Sequence, residues 1–345
     1  MYIGLQVGRG IAALLVLFHH SSLGSEVFYG DKAFNGFWEF GAIGVDFFFV
    51  LSGFIIYWVH SNDSKGLSSA SLYIKKRLIR IYPPFILISL VLLVAYNAFP
   101  HLSASNREIG IISSLFLIPS PTLNPALSVS WTLMHEMLFY MIFIALYFNR
   151  LLLHSFLIVW SILIIVLNLI WVDDGLMLNF VLNPHNLQFL FGIVAAIIVK
   201  QHKHKQLYLF VGLFMLFSYI TSHQYGINAS FSQLVLKVYL GFCFMFIVVG
   251  LCSIEKHINY PKSFVFIGAA SYSIYLIHDP AISILNRVAQ KIYIQIPLAP
   301  EVFFIFTASL SLLVGIFYYL VWEKPSLHFL KKNILYGKTP LNKEL

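Results

Sequence analysis

Arg9 and His20 lie eleven residues apart in one apolar segment, GRGIAALLVLFHH. Eleven residues make about three helical turns, so both side chains share one face, separated by about 16 Å of rise. Three more apolar segments carry ionisable groups: Asp46 in GVDFFFVLSGF, Glu136 in SVSWTLMHEMLFY and His278 in SYSIYLIHDP. Tyr140 follows Glu136 one turn later on the same face. Between these segments, LYIKKRLIRIYPP sets Arg77 and Arg80 at i, i+3 beside Lys75 and Lys76. A charge in the middle of a bilayer costs at least a few kcal/mol, so each of these groups is a functional candidate.

The arginine cluster suits a phosphate-rich ligand, because guanidinium forks grip phosphate in pairs. A histidine facing a carboxylate suits general-base work on a hydroxyl near neutral pH. Plainer roles stand beside these. Arg9 also suits a snorkelling anchor, Asp46 a helix cap, Trp131 an interfacial aromatic and Tyr140 a buried hydrogen-bonding group. Glu323 reads as a helix terminus at the inner surface, and His135 as facing away from Glu136. His19 rivals His20, although its spacing from Arg9 puts it on another face. Cys243 and Cys252, nine residues apart on one expected helix, read as core residues, and nothing suggests a metal site.

These side chains need a frame, and composition names its solvent. Of 345 residues, 59% are hydrophobic and 10% charged, against about a quarter charged in soluble domains. Apolar runs fall at 5–22, 42–59, 81–99, 131–148, 151–172, 186–199, 207–222, 234–252, 265–285 and 301–321. The expected fold is an all-α bundle of about ten transmembrane helices, each near the 20 residues that cross a bilayer. It forms one membrane domain over 1–345, with a short cytoplasmic tail from 322 to 345. The first run has no cleavage site behind it and reads as a retained span. The sixth is short enough for a partly re-entrant segment. The outer connection 100–130 is long enough to cover an extracytoplasmic mouth.

With both termini cytoplasmic, 17 of the 22 Lys and Arg fall at inner ends or loops, and Lys32, Arg107, Lys237, Arg287 and Lys291 fall outside. That asymmetry follows the positive-inside rule. The net charge of +8 is therefore topological and does not point to nucleic acid. His20, Asp46, Glu136 and His278 come to a similar depth nearer the outer side.

The segments RGIAALLVLFHH, GVDFFFVLSGF, KKRLIRIYPP, SWTLMHEMLFY, SYSIYLIHDP and the late EKP, in this order from Gly8 to Pro325, resemble the acyltransferase-3 family of membrane acyltransferases. The resemblance implies a ten-helix core, acetyl- or another acyl-coenzyme A as donor, and an essential histidine in the first span. Arg9 and His20, Arg77 with Arg80, and Glu136, Phe139 and Tyr140 match the family's motifs. Asp279, between His278 and Pro280, departs from them.

The expected function is transfer of an acyl group, acetyl above all, from acyl-coenzyme A on the cytoplasmic side to a sugar hydroxyl. The acceptor is a cell-envelope or exported polysaccharide, such as an exopolysaccharide, O-antigen or capsule, or its lipid-linked precursor. The setting is a bacterial inner membrane. His20, Glu136 and Asp46 are the catalytic candidates, with a carboxylate orienting the imidazole. Arg9, Arg77 and Arg80 are the donor-binding candidates, and Trp131, Tyr140 and His278 the acceptor-binding ones. Oligomeric state stays open, a homo-oligomer included. The rival class is a proton-coupled transporter or flippase of a glycan or lipid intermediate, since proton relays use the same buried groups. Against it, the sequence holds no internal repeat.

Overall fold

The computed structural model of the chain describes residues 2–103, 108–170, 175–201, 205–293 and 299–335. Arg107, Lys203, Lys338 and Lys343 of the charge count lie outside them. The described helices are α1 (Ile3–Tyr29), α2 (Ile43–His60), α3 (Leu67–Ala98), α4 (Ile111–Phe116), α5 (Ser130–Phe143), α6 (Arg150–Ile170), α7 (Leu176–Val181), α8 (Asn186–Lys200), α9 (Leu207–Gln224), α10 (Gln233–Ile254), α11 (Lys262–Tyr293), α12 (Pro300–Tyr318) and α13 (Lys324–Leu330). Extended pairing among the described residues is one bridge, Ile109 with Asn124. The protein is all-helical.

Nine helical segments among the described residues are long and apolar enough to cross a membrane. The expected span 265–285 lies within α11, which is long but too polar to join the nine, carrying Ser271, Ser273, His278, Asp279 and Asn286. Those groups face inward, since all but the half-buried Asp279 are buried. Elsewhere the apolar side chains turn outward. Leu151, Ile158 and Ile162 on α6 and Phe210, Phe214 and Phe217 on α9 are exposed. Such a surface marks a lipid-facing bundle and a multi-pass membrane protein.

Small residues set the register of the helices around the candidate groups. An added Cβ on Gly268 of α11 would come within 1.9 Å of the Gln6 carbonyl oxygen, and one on Gly10 within 2.9 Å of the Gly268 nitrogen. The backbones of α1 and α11 therefore touch at Gly10 and Gly268, as small residues allow in membranes. The two helices run parallel, because Gln6 Nε2 donates to the Val265 carbonyl (2.9 Å) near one end and Gly24 meets Asn286 near the other. Ten residues beyond each glycine stand His20 and His278. Helix α2 runs antiparallel to α1, with Gly41 against Leu15 and Gly44 against Ala12. Its other edge, through Val50 and Gly53, packs on Phe189 and Gly192 of α8.

Two segments depart from the sequence expectation. The basic stretch before the third span is no loop, because α3 starts at Leu67 and runs through Pro83 and Pro84. Tyr272, Tyr318 and Trp322 donate to the carbonyls of Ile81, Pro84 and Pro83 at 2.9, 2.6 and 2.9 Å. Neighbouring helices thus tie down the carbonyls around the proline turn. The tail from 322 is not loose at its start either. A π-turn over Tyr319–Glu323 leads into α13, and Glu323 is fully buried.

Candidate active site

Helices α1, α2, α3, α5 and α11 enclose a cavity of about 270 Å³. Arg9, Arg77 and Arg80 line it together with Ser52, Glu136 and Tyr140, and Thr132, Phe48 and Tyr275 also border it. Helical spacing explains this choice from α2: Val45, Phe48, Phe49, Ser52, Ile55 and Ile56 form one stripe.

The three guanidinium groups are not equivalent. Arg80 Nη1 donates to Glu323 Oε1 at 2.6 Å, and Ser273 donates to Glu323 Oε2 at 2.5 Å. Its positive charge is therefore matched locally, and its plane also covers the Tyr272 ring. Arg77 Nη2 donates to His60 Nε2 at 2.7 Å, while His60 Nδ1 donates to Asp63 at 2.7 Å. Tyr147 also donates to Asp63, at 2.8 Å. Burial alone would raise the Asp63 carboxyl, but the hydrogen bonds from His60 and Tyr147 outweigh it and hold it below its usual value. The Arg77 guanidinium lies over Tyr73 and Tyr140, and its buried Nε has no partner. Arg9 makes no hydrogen bond or ion pair with any described residue. The cavity thus holds two arginines with donors to spare.

Glu136 sits in the middle of this space, accepting from Ser52 at 3.1 Å and from the Tyr140 hydroxyl. Beyond it the Tyr275 hydroxyl bonds Thr132 at 2.9 Å, and the Tyr275 ring stands edge-on to Phe48 and 5.5 Å from the His278 ring. His278 stands against that tyrosine and His20 against His278, and neither lines the cavity.

His278 Nε2 and His20 Nδ1 are 3.3 Å apart. The proton positions follow from the other partners. His278 Nδ1 is 2.6 Å from the Tyr275 carbonyl oxygen, which can only accept, so this nitrogen carries the proton and Nε2 the lone pair. His20 Nδ1 is 3.0 Å from the Val16 carbonyl oxygen and carries a proton by the same rule. That proton is shared between Val16 and His278. The Nε2 of half-buried His20 keeps a free lone pair, the atom a general base or nucleophile needs. His19 turns instead to the Glu39 carbonyl at 2.7 Å.

The expected histidine–carboxylate pair is thus a histidine–histidine pair here. Asp46 shares a helical face with Val50 and Gly53, the face that packs on α8 rather than α1. There it accepts from Lys237 at 2.9 Å and Gln188 at 2.5 Å, and it is 1% exposed. Trp131, 39% exposed, belongs to that neighbourhood, 5.3 Å from the His185 ring. His135 bonds Asn186 at 2.9 Å, away from the cavity. The carboxylate nearest His278 in sequence, Asp279, accepts from Ser128. Ser128 belongs to the 100–130 connection, which therefore reaches the histidine end of the bundle.

Sequence reasoning missed His60, Asp63, Thr132 and Tyr275, and it misplaced Glu323. His60 and Asp63 have i, i+3 spacing at the end of a span, a usable signal, but Arg77 joins them only through the turn before α3. Among the described residues no group of three His, Cys, Asp or Glu is placed to hold a metal. Cys243 and Cys252 are buried free thiols.

A family model described as an acyltransferase domain, acyltransferase-3, matches residues 2–320. The chain belongs to the acyltransferase-3 family. It is similar to the exopolysaccharide production protein ExoZ of Rhizobium meliloti, 31% identical over 313 residues, covering 83% of this chain and 90% of that protein. It also resembles the acyltransferase MdmB of Streptomyces mycarofaciens, 28% identical over 39% of this chain and 36% of that one. A third relative, protein 2 in the picA locus of Rhizobium radiobacter, is 28% identical over 37% of this chain. No solved structure matches the chain significantly. Membership of this family supports acyltransferase activity.

Proposed function

We propose that this protein is a membrane O-acyltransferase that takes an acyl group, acetyl above all, from acyl-coenzyme A and transfers it to a sugar hydroxyl. The acceptor is an exported or envelope polysaccharide of exopolysaccharide type, or its lipid-linked precursor. The similarity to ExoZ over most of both chains supports that class of acceptor. One observation carries the reading: a single cavity joins free guanidinium donors to a tyrosine wall backed by His278, whose partner His20 holds the base-competent nitrogen.

In this mechanism the donor enters at the arginine end, which the charge asymmetry assigns to the cytoplasm. Arg77 and Arg9 take the phosphates, while Arg80, matched by Glu323, shapes the site more than it binds. The pantetheine arm lies along the apolar stripe of α2. Rotation of Tyr275 away from Thr132 opens the cavity toward His278 and its partner His20, where the thioester is placed. His20 Nε2 then removes the acceptor hydroxyl proton as that oxygen attacks the thioester carbonyl. The C–S bond breaks, and the thiolate leaves with that proton as coenzyme A thiol. In the two-step variant the same lone pair attacks first and carries the acyl group. His278 orients His20, and Glu136, held by Tyr140 and Ser52, offers a carboxylate to the arm's amides or the acceptor. Asp46, on the face of α2 that packs on α8, and Trp131, beside His185, do not line the cavity.

The test uses the full chain in lipid nanodiscs with acetyl-coenzyme A and a polysaccharide fragment. His20→Ala should abolish transfer while coenzyme A still raises the unfolding temperature. Near-normal transfer by His20→Ala ends this mechanism. Absence of any thermal shift with coenzyme A favours the transporter class, which has no use for that ligand.

A further inference from the structure

Arg77 is held by groups that have no chemistry to perform on an acyl chain. Tyr147 donates to Asp63, His60 donates to Asp63 through Nδ1, and Arg77 donates to His60 through Nη2. Arginine has donors only, so His60 Nε2 must hold a lone pair for this chain to exist. The carboxylate on Nδ1 selects that tautomer. The chain therefore has one protonation state in which it closes.

We infer that His60 is the positioning residue for Arg77, and that its neutral form is the condition for the donor-phosphate grip, so acid at this end of the bundle releases the donor. The inference rests on Arg77 as the donor ligand proposed above. A proton on Nε2 would set two donors face to face at 2.7 Å and two cations side by side. Arg77 then has to swing off the aromatic faces of Tyr73 and Tyr140 that fix its plane over the cavity. Its buried Nε has no protein partner to hold it in place. The groups facing His60 are Asp63 from the following turn, Arg77, Lys76 and Tyr73 from α3, and Tyr147 from the turn after α5. One carboxylate favours the imidazolium and two cations oppose it. Because His60 is 2% exposed, water cannot take over Arg77's role for it.

The experiment measures coenzyme A dissociation constants for the full chain in nanodiscs from about pH 8 to about pH 4.5, through and below the ordinary histidine range, because burial and two cations oppose the imidazolium. His60→Gln offers an amide oxygen that accepts from Arg77 and takes no proton. It should match the wild type at the alkaline end and lack the wild type's acid limb, which steepens by up to about tenfold per pH unit. The residual slope in His60→Gln belongs to the phosphates of the ligand itself. Asp63→Asn still accepts from Nδ1 but withdraws the charge that favours imidazolium, so its acid limb moves to lower pH. Parallel curves for wild type and His60→Gln overturn the inference, as does an unmoved limb in Asp63→Asn, which carries the test if His60→Gln does not fold. Arg77→Ala separates the two claims. Weakened binding there with parallel His60→Gln curves removes the role of His60 alone, whereas unchanged binding removes the donor site and this inference with it.

Discussion

Arg9→Gln and Arg80→Gln should fail in opposite ways, because the structure gives one guanidinium no protein partner and the other a buried one. A guanidinium–phosphate contact is worth roughly 1.5–3 kcal/mol, or about 10- to 150-fold in a dissociation constant. Arg9→Gln should weaken coenzyme A by an amount in that range and leave the unfolding temperature unchanged. Arg80→Gln strands Glu323, which is 1% exposed and loses its 2.6 Å partner. Breaking a buried pair from one side costs about 3–5 kcal/mol; Arg80 is 32% exposed, so the low end, about 3 kcal/mol, applies here. Arg80→Gln should therefore unfold at markedly lower temperature while its coenzyme A affinity changes only several-fold. Adding Glu323→Gln removes the stranded charge and should recover most of the stability, a coupling that a double-mutant cycle isolates. Thermal unfolding and coenzyme A titration in nanodiscs read both quantities on one sample. Arg80→Gln with wild-type stability and a loss of affinity equal to that of Arg9→Gln would show that both arginines are donor ligands and that Glu323 does not depend on Arg80.

Four further outcomes follow from the geometry. His278→Ala removes one acceptor of the shared His20 proton but leaves Val16, so kcat should fall by about 10- to 100-fold, less than the 10²–10⁴ that general-base loss brings; equal loss in both variants would give His278 a direct chemical role. Gly268→Ala puts a methyl 1.9 Å from the Gln6 carbonyl oxygen, and backbone shifts of that kind cost about 1–3 kcal/mol; unfolding temperature and transfer should drop together, and retention of both would show that α1 and α11 are less tightly apposed. Asp46→Asn withdraws the negative charge that matches Lys237 on the α8 and α10 side, so thermal stability should suffer more than kcat; a His20-like loss of transfer at full stability would make Asp46 catalytic after all. Asp63 has its carboxyl below the unfolded value, so its stabilisation is complete above about pH 4 and fades as pH falls further through the folded value; Asp63→Asn should flatten that acid limb of the unfolding temperature, and an identical limb would assign it elsewhere.

Arg9 and His20 of α1 declared themselves, because charge in an apolar run is rare and helical spacing puts the two on one face. Arg77 and Arg80 were found by type and spacing, yet they looked alike. Nothing local distinguishes them, since the partner of Arg80 is 243 residues away and that of Arg77 lies on the preceding helix. Asp46 looked level with His20, and helix periodicity alone cannot say which neighbour a face will meet. Glu323 read as a surface terminus because only packing against α3 and α11 encloses it.

Sequence alone therefore determined the solvent, the helices and the residue types that chemistry can use, since each depends on runs and spacings within about 20 residues. Tertiary structure decided which of those residues meet. Glycine contacts between α1 and α11 put His20 opposite His278, the turn from α5 completes the hold on Asp63, and α11 supplies the tyrosine between cavity and imidazole. Partner choice is a property of helix register and rotation, set by backbone contacts between segments far apart in the chain, and no local pattern encodes it.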